Sequence, residues 1–207
     1  MLSGIETFEM TYGFIKRIVD ILAVVGTSFV TVPLFVFLSV WIKLDSPGPV
    51  FFKQKRVGRH KRFFNILKFR TMKIDTPRDT PTHLLENPEQ WITRAGKFLR
   101  KTSLDELPQL INILAGDMTI VGPRPALWNQ DDLVAERDRY GANDITPGIT
   151  GWAQINGRDE IPIEQKARLD GEYCQKMGPL FDLKILLSTF PKVIRGSGVA
   201  EGGKNHN

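Results

Sequence analysis

The sequence is poor in the residues that build disulfides and metal cages. Cys174 is its one cysteine, which excludes an intrachain disulfide and a cysteine-ligated metal centre. A single thiol also fits a reducing compartment. The three histidines, His60, His83 and His206, fall in loop or tail sequence without a partner pattern, and they read as solvated rather than catalytic. There is no G-x-G-x-x-G, no P-loop, no G-x-S-x-G and no zinc signature. Acids are fewer than bases: 23 Asp and Glu against 28 Lys and Arg leave a net charge of +5. A basic chain seeks anions, whether nucleic acid, phosphorylated small molecules or an anionic membrane surface. No recognised nucleic-acid module is present, so nucleic acid is not an expected partner. Neither repeats nor low-complexity segments appear, and 207 residues suffice for one compact domain plus an anchor.

What is abundant is apolar sequence near the start. Ile18 to Ile42 is interrupted only by Asp20 and a few small polar residues. It is too long for the apolar region of a signal peptide and lacks a cleavage pattern after it. Its length just spans a bilayer at ~20 residues per crossing. Two features argue against a simple crossing. Pro33, near the middle, removes one backbone donor and disrupts the turn ending near Phe29. Thr27, Ser28 and Thr31 lie just upstream, where hydroxyls can satisfy freed carbonyls. Lys16 and Arg17 precede the segment and Lys43, Lys53, Lys55 and Arg56 follow it, so the positive-inside rule draws both ends to the cytoplasm. A helix broken at Pro33 that enters and leaves on one face satisfies both observations. An ordinary spanning helix, or a buried core helix kinked at Pro33, stands beside it.

Beyond a turn at Asp45–Pro49, Val50–Gln54 and Arg62–Met72 read as strands joined by a basic loop. Period two puts Phe63, Asn65, Leu67 and Phe69 on one face of the second strand and Phe64, Ile66, Lys68 and Arg70 on the other. Lys68 and Arg70 then project side by side, at a spacing suited to two oxygens of one phosphate; a solvated basic edge is the plainer reading. Lys73–Pro88 is loop sequence. Trp91–Lys101 has helical spacing with a basic face, as a membrane-surface or plain surface helix would. Leu104–Ala115 reads as a helix stopped by Gly116. In Gly122-Pro-Arg-Pro125 two prolines hold Arg124 on a stiff extended segment. Asp131–Tyr140 reads as a short helix, and Pro147–Arg158 as a turn, a strand with Trp152, Gln154 and Asn156 on one face, and a second turn at Asn156-Gly157. Ile163–Met177 reads as a helix of mixed polarity, and Leu180–Ile194 as an apolar one, interfacial or core-packed. The expected fold class is α+β: a helix-rich domain with a short β-hairpin, anchored by the N-terminal membrane helix and interfacial amphipathic helices. Residues 1–45 form the anchor, 46–195 the catalytic domain and 196–207 a flexible tail.

Asp105 and Glu106 have two readings. Ser103-Leu-Asp-Glu106 matches a capping box, and two acids in a first helical turn suit the helix dipole. Yet neighbouring helical residues point ~100° apart, so from one helix end both acids can address the same pocket, one as nucleophile and one as ligand to a cation. Arg100 and Lys101 precede them and Arg124 follows. Carboxylates beside a divalent cation, ringed by arginines, are what phosphoryl transfer requires. With no histidine or cysteine cluster, an oxygen-ligated Mg²⁺ is the natural cation.

The ordered motifs carry a specific resemblance. KRIVDI at Lys16–Ile21, SPGPVFFKQKRVG at Ser46–Gly58, LKFRTM at Leu67–Met72, LRKTSLDELPQLINILAGDM at Leu99–Met118, VGPRP at Val121–Pro125 and PGITGWAQINGR at Pro147–Arg158 follow one another. From about Lys16 to Ile194 the chain resembles the bacterial sugar transferases, small monotopic phosphoglycosyl transferases that initiate capsule, exopolysaccharide and glycoprotein glycan assembly. The resemblance implies a re-entrant helix at the bacterial inner membrane with the domain on the cytoplasmic face. Relatives often have a serine before the proline of that helix; here Val32 precedes Pro33 and Thr31 lies one further back. It further implies that Asp105 attacks a UDP-sugar, giving a phosphosugar-enzyme intermediate and UMP. Glu106 helps hold Mg²⁺, and undecaprenyl phosphate accepts the phosphosugar. Lys68, Arg70, Arg100, Arg124 and Arg158 become phosphate or nucleotide contacts, with Gln154 and Asn156 after them. Relatives with further N-terminal membrane helices are longer, so the chain is expected to be the minimal catalytic form; a homodimer is compatible with an enzyme of this kind. A basic, non-catalytic membrane adaptor explains the charge and the anchor, but gives the acidic pair and the Arg-Pro segment no role.

Overall fold

The computed structural model describes residues 2–76, 87–157 and 161–195. His83, Arg158 and the tail 196–207, with the expectations placed on them, lie outside the described residues. The element order is helix-rich with two small sheets, in keeping with the expected class.

Helix α1 runs from Leu2 to Asp45 with Pro33 inside it. The break expected at Pro33 is not seen: the helix runs through it without interruption, because the proline removes one hydrogen bond while the turns on either side carry their own. Thr27 donates to the carbonyls of Ala23 and Val24, and Ser28 to that of Val25. These hydroxyls therefore do not serve the Phe29 carbonyl freed by Pro33, as the sequence suggested. A helical Ser or Thr reaches only three or four residues back.

Both arms of α1 pack on the same domain. Val24 joins Ile66, Ile113 and Met118 in one apolar cluster, while Leu38 and Ile42 join Phe69, Ala95 and Leu99 in another. Between them no residue from Val25 to Phe37 is buried, and Phe29 is 88% exposed. Polar bonds tie down the two ends. Tyr12 (2.8 Å) and Lys16 donate to Asp182, and Arg17 donates to the carbonyls of Leu114 (2.9 Å) and Ile113. Asp20, the lone acid in the apolar run, is buried and accepts from the Thr119 hydroxyl and the Ile120 amide. At the other end Asp45 accepts from the Ala95 amide at 3.0 Å.

Strands β1 (Phe51–Val57) and β2 (Phe63–Phe69) form an antiparallel hairpin in the register Phe51↔Phe69 to Val57↔Phe63. The two faces of β2 alternate as period two requires. Helix α2 (Arg94–Thr102) begins three residues later than its spacing suggested, because Thr93 caps it by accepting from the Gly96 amide. Its Ala95 and Leu99 are buried on α1, while Phe98 lies beside the Trp41 ring at 5.3 Å. A 3₁₀ turn (Leu104–Glu106) precedes α3 (Gln109–Ala115), so the single helix expected over Leu104–Ala115 is two elements, with Pro108 at the joint. Strands β3 (Thr119–Val121) and β4 (Gly148–Thr150) pair in parallel, linked through α4 (Asp131–Asp138). Helices α5 (Trp152–Ile155), α6 (Ile163–Lys176) and α7 (Pro179–Arg195) complete the chain. The short strand expected through Trp152, Gln154 and Asn156 is α5, which sets Gln154 on a different face from the other two. Leu180, Leu183, Leu187 and Phe190 of α7 are exposed.

Candidate active site

The acidic pair sits on the 3₁₀ turn, and its backbone excludes the capping box. Ser103 is left-handed (φ 56°), ends α2, and makes no side-chain capping bond. A capping residue needs extended backbone to aim its hydroxyl along the next helix. Glu106 points elsewhere: its Oε1 accepts from Lys68 Nζ at 2.9 Å and from an Arg124 guanidinium nitrogen at 3.0 Å. One carboxylate oxygen thus gathers cations from β2 and from the segment after β3, and only 12% of the Glu106 side chain is exposed. Charge-assisted bonds of this kind are the stronger hydrogen bonds of proteins.

Asp105 differs from its neighbour. It is partly buried, and its carboxylate makes no hydrogen bond or ion pair among the described residues. Burial pushes its carboxyl above the ordinary carboxylate range; the Glu106 charge adds to the rise, and Lys68, Arg100 and Arg124 oppose it. The Arg100 Nε donates to the Thr71 hydroxyl at 3.0 Å. The site therefore combines a partly desolvated carboxylate, unpartnered among the described residues, with a second carboxylate held between two cations and a third cation nearby.

Several backbone devices hold these groups. The Asn112 amide substitutes for a strand at the open edge of β2, accepting from the Leu67 amide and donating to the Asn65 carbonyl, both at 2.9 Å. That fixes the strand one residue from Lys68. Arg124 is framed by Gly122 N–H to the Thr150 carbonyl (2.8 Å), Gly148 N–H to the Pro123 carbonyl (2.9 Å) and Arg56 to the Pro125 carbonyl (3.0 Å). The approach is close enough that a Cβ on Gly148 would lie 2.1 Å from the Gly122 nitrogen, so only glycine fits there.

Of the residues singled out by sequence, Asp105, Glu106, Lys68, Arg100 and Arg124 come together. Arg70 does not join them. It is 5% exposed and donates to the carbonyls of Ser46 (2.8 Å), Ile42 (3.4 Å) and Pro47 at the end of α1. Alternation assigned Lys68 and Arg70 one face of the strand, but β2 ends at Phe69, so the next side chain leaves that face. Gln154 donates to the Ile149 carbonyl at 2.8 Å while its Oε1 is buried without a partner among the described residues. Asn156 is exposed and donates back to the Trp152 carbonyl, closing α5. Thr71, Asn112 and Gly148 were not singled out for the site. Only the quoted LKFRTM, DELPQLIN and PGITG strings hinted at them, since side-chain to backbone pairings have no periodic signature.

Carboxylates set among cations on rigid backbone suit the chemistry of phosphate esters. Comparison with known proteins bears on the family. The chain belongs to the bacterial sugar transferase family, whose model matches residues 11–196. It is thus an enzyme of the phosphoglycosyl transferase class. It is 41% identical over 187 residues to the "Uncharacterized sugar transferase EpsL" of Bacillus subtilis (strain 168), covering 90% of this chain and 91% of that protein. It is 38% identical to the UDP-glucose:undecaprenyl-phosphate glucose-1-phosphate transferase of Escherichia coli (strain K12), covering 84% of this chain and 39% of that protein. Identity is 37% to the UDP-N-acetylgalactosamine-undecaprenyl-phosphate N-acetylgalactosaminephosphotransferase of Aeromonas hydrophila, covering 90% of this chain and 45% of that protein. The chain therefore spans less than half the length of these last two relatives.

Proposed function

We propose that this enzyme transfers a sugar-1-phosphate from a UDP-sugar to undecaprenyl phosphate in two displacements on Asp105. An Asp105 oxygen attacks the phosphorus that bears the sugar. The bond from that phosphorus to the bridging oxygen breaks, and UMP leaves with that oxygen. An oxygen of the lipid phosphate then attacks the same phosphorus, the acyl-phosphate bond breaks, and the carboxylate is restored. The observation that carries this reading is the partly buried Asp105 carboxylate, without a hydrogen-bond partner among the described residues, beside a Glu106 whose Oε1 is held by Lys68 and Arg124. A carboxylate serving structure would be expected to have a donor. Relatives of nearly equal identity are named for glucose and for N-acetylgalactosamine, so the UDP moiety and the lipid phosphate are the shared chemistry.

Lys68, Arg100 and Arg124 neutralise phosphate oxygens so that an anionic nucleophile can approach. Asp105 and Glu106 fit an oxygen-ligated Mg²⁺, an ion that takes one or two protein carboxylates and completes its shell with substrate phosphate and water. Bound there, it supplies Lewis-acid stabilisation of the diphosphate. Incubation with radiolabelled UDP-sugar and no lipid is expected to release one equivalent of UMP and leave label on the protein. Release of UDP instead, or UMP only when lipid is added, would overturn the covalent scheme.

The membrane arrangement belongs to the same proposal: α1 enters and leaves the inner membrane on the cytoplasmic face, and α7 rests at the interface on its exposed leucines. Support comes from the two arms of α1, both bonded to one domain, with an exposed apolar stretch around Pro33 between them. The stretch from Val25 to Phe37 is ~20 Å of helix, shorter than the ~30 Å hydrocarbon core. In a Cys174→Ala background, Ser3→Cys and Lys53→Cys should both resist an impermeant thiol reagent in intact cells and react after permeabilisation. Labelling of one site alone from outside would instead establish a spanning helix.

A further inference from the structure

Three nearly consecutive residues at the end of β2 reach three different places. Lys68 donates to Glu106. Arg70 closes the C-terminal end of α1 through the Ser46, Ile42 and Pro47 carbonyls. The Thr71 hydroxyl holds Arg100, and its carbonyl accepts from the Thr93 amide at 3.0 Å. The same helix end is bonded to α2 by Asp45, and α2 lies so close to Thr71 that a Cβ on Gly96 would stand 2.0 Å from the Thr71 carbonyl oxygen. Ser46 and Pro47 lie just past the helix end, where carbonyls have no intrahelical donor, so the buried Arg70 guanidinium bonds them there. Taking Arg70 out to a phosphate would strip the Ser46 and Pro47 carbonyls of this donor, while the Ile42 carbonyl keeps the Ser46 amide at 3.3 Å.

We propose that Arg70 is a positioning residue that fixes the height of the Asp105–Glu106 pair relative to the end of the membrane helix, and thereby the approach of a phosphate carried on a bilayer-embedded chain. The inference rests on the two-step reading above. A nucleotide-sugar reaches Asp105 from water, whatever the height of the site. A lipid phosphate is tethered by its tail, so a small vertical misplacement separates it from the reacting phosphorus, and ~1 Å is enough to cost ~10²-fold.

The experiment compares the two displacements in Arg70→Gln and Arg70→Lys, using the UDP-sugar that gives most UMP in a screen including UDP-glucose and UDP-N-acetylgalactosamine. Single-turnover labelling of the protein without lipid should stay within about threefold of wild type, with KM for the nucleotide-sugar unchanged. Turnover with undecaprenyl phosphate in nanodiscs should fall by roughly tenfold or more in Arg70→Gln, and less in Arg70→Lys, which keeps a donor. Turnover with a short-chain, water-soluble prenyl phosphate should fall by less than about threefold. Asp45→Ala, which loosens the same helix end from the other side, should show the same split and serves if Arg70→Gln does not fold. A raised KM for the nucleotide-sugar, or equal losses in both displacements, would overturn the proposal in favour of a phosphate ligand or a purely structural residue. Wild type that takes no label fails differently: the covalent reading then falls, and the role of Arg70 with it.

Discussion

Replacing Asp105 by Asn is expected to bring turnover below detection while making the folded protein more stable. The amide keeps size and shape but cannot form an acyl phosphate, so label from a UDP-sugar should not appear on the protein. The stability change follows from the raised carboxyl. Burial favours the neutral form of Asp105 in the folded protein. A group whose folded pKa lies above its unfolded value contributes stability below the unfolded pKa and loses it as pH rises through the folded one. At neutral pH the ionised carboxylate therefore weakens the fold, and asparagine removes that cost. The melting temperature of Asp105→Asn should exceed that of wild type at pH 8, and the gap should close on acidification. In wild type, kcat/KM should decline on the acid side, because the nucleophile must be ionised. An Asp105→Asn protein that melts lower at pH 8 would mean that the carboxylate serves structure, and active Asp105→Asn would end the covalent mechanism.

That sign was not legible in the sequence. Ser103-Leu-Asp-Glu106 satisfies the composition of a capping box, and composition contains neither the left-handed backbone of Ser103 nor the direction of the Glu106 side chain. The direction of Glu106 depends on where β2 and the Gly122–Pro125 segment lie, which are contacts distant in sequence. Long or strongly patterned elements were legible. The alternation of β2, the helices α4, α6 and α7 and the apolar run of α1 have periods that a local window captures. Strands β3 and β4 have three residues each and pair in parallel across a helix, so neither period nor turn chemistry announces them. The five site residues that converge were named on different signals: strand alternation for Lys68, two flanking prolines for Arg124, and the acidic pair Asp105–Glu106 with Arg100 just before it. The role of Arg70 was misread because a strand face continues in sequence after the strand itself has ended.

The second large effect is expected at Arg124. Its guanidinium bonds to Glu106 from a segment held by Gly122, Gly148 and Arg56. Held so, it needs no reorganisation when charge develops on a transferring phosphoryl group. Removing one preorganised donor of this kind costs about 3 kcal/mol, or ~10²-fold in kcat. Little of that should appear as instability. The Arg124 side chain is 24% exposed, Glu106 keeps its bond to Lys68, and partly exposed ion pairs contribute only ~0–1 kcal/mol. Arg124→Ala should thus melt near wild type, remain membrane-bound and lose kcat in both displacements, since the same phosphorus is attacked twice. Arg124→Lys should recover only part of the rate, because an ammonium lacks the planar fork that matches two phosphate oxygens. Combining Arg124→Ala with Glu106→Gln should cost less than the sum of the two, as groups in one hydrogen-bonded cluster couple. Wild-type rates in Arg124→Ala would reduce it to an anchor for Glu106, and charge stabilisation would then have to come from Lys68 and Arg100 alone.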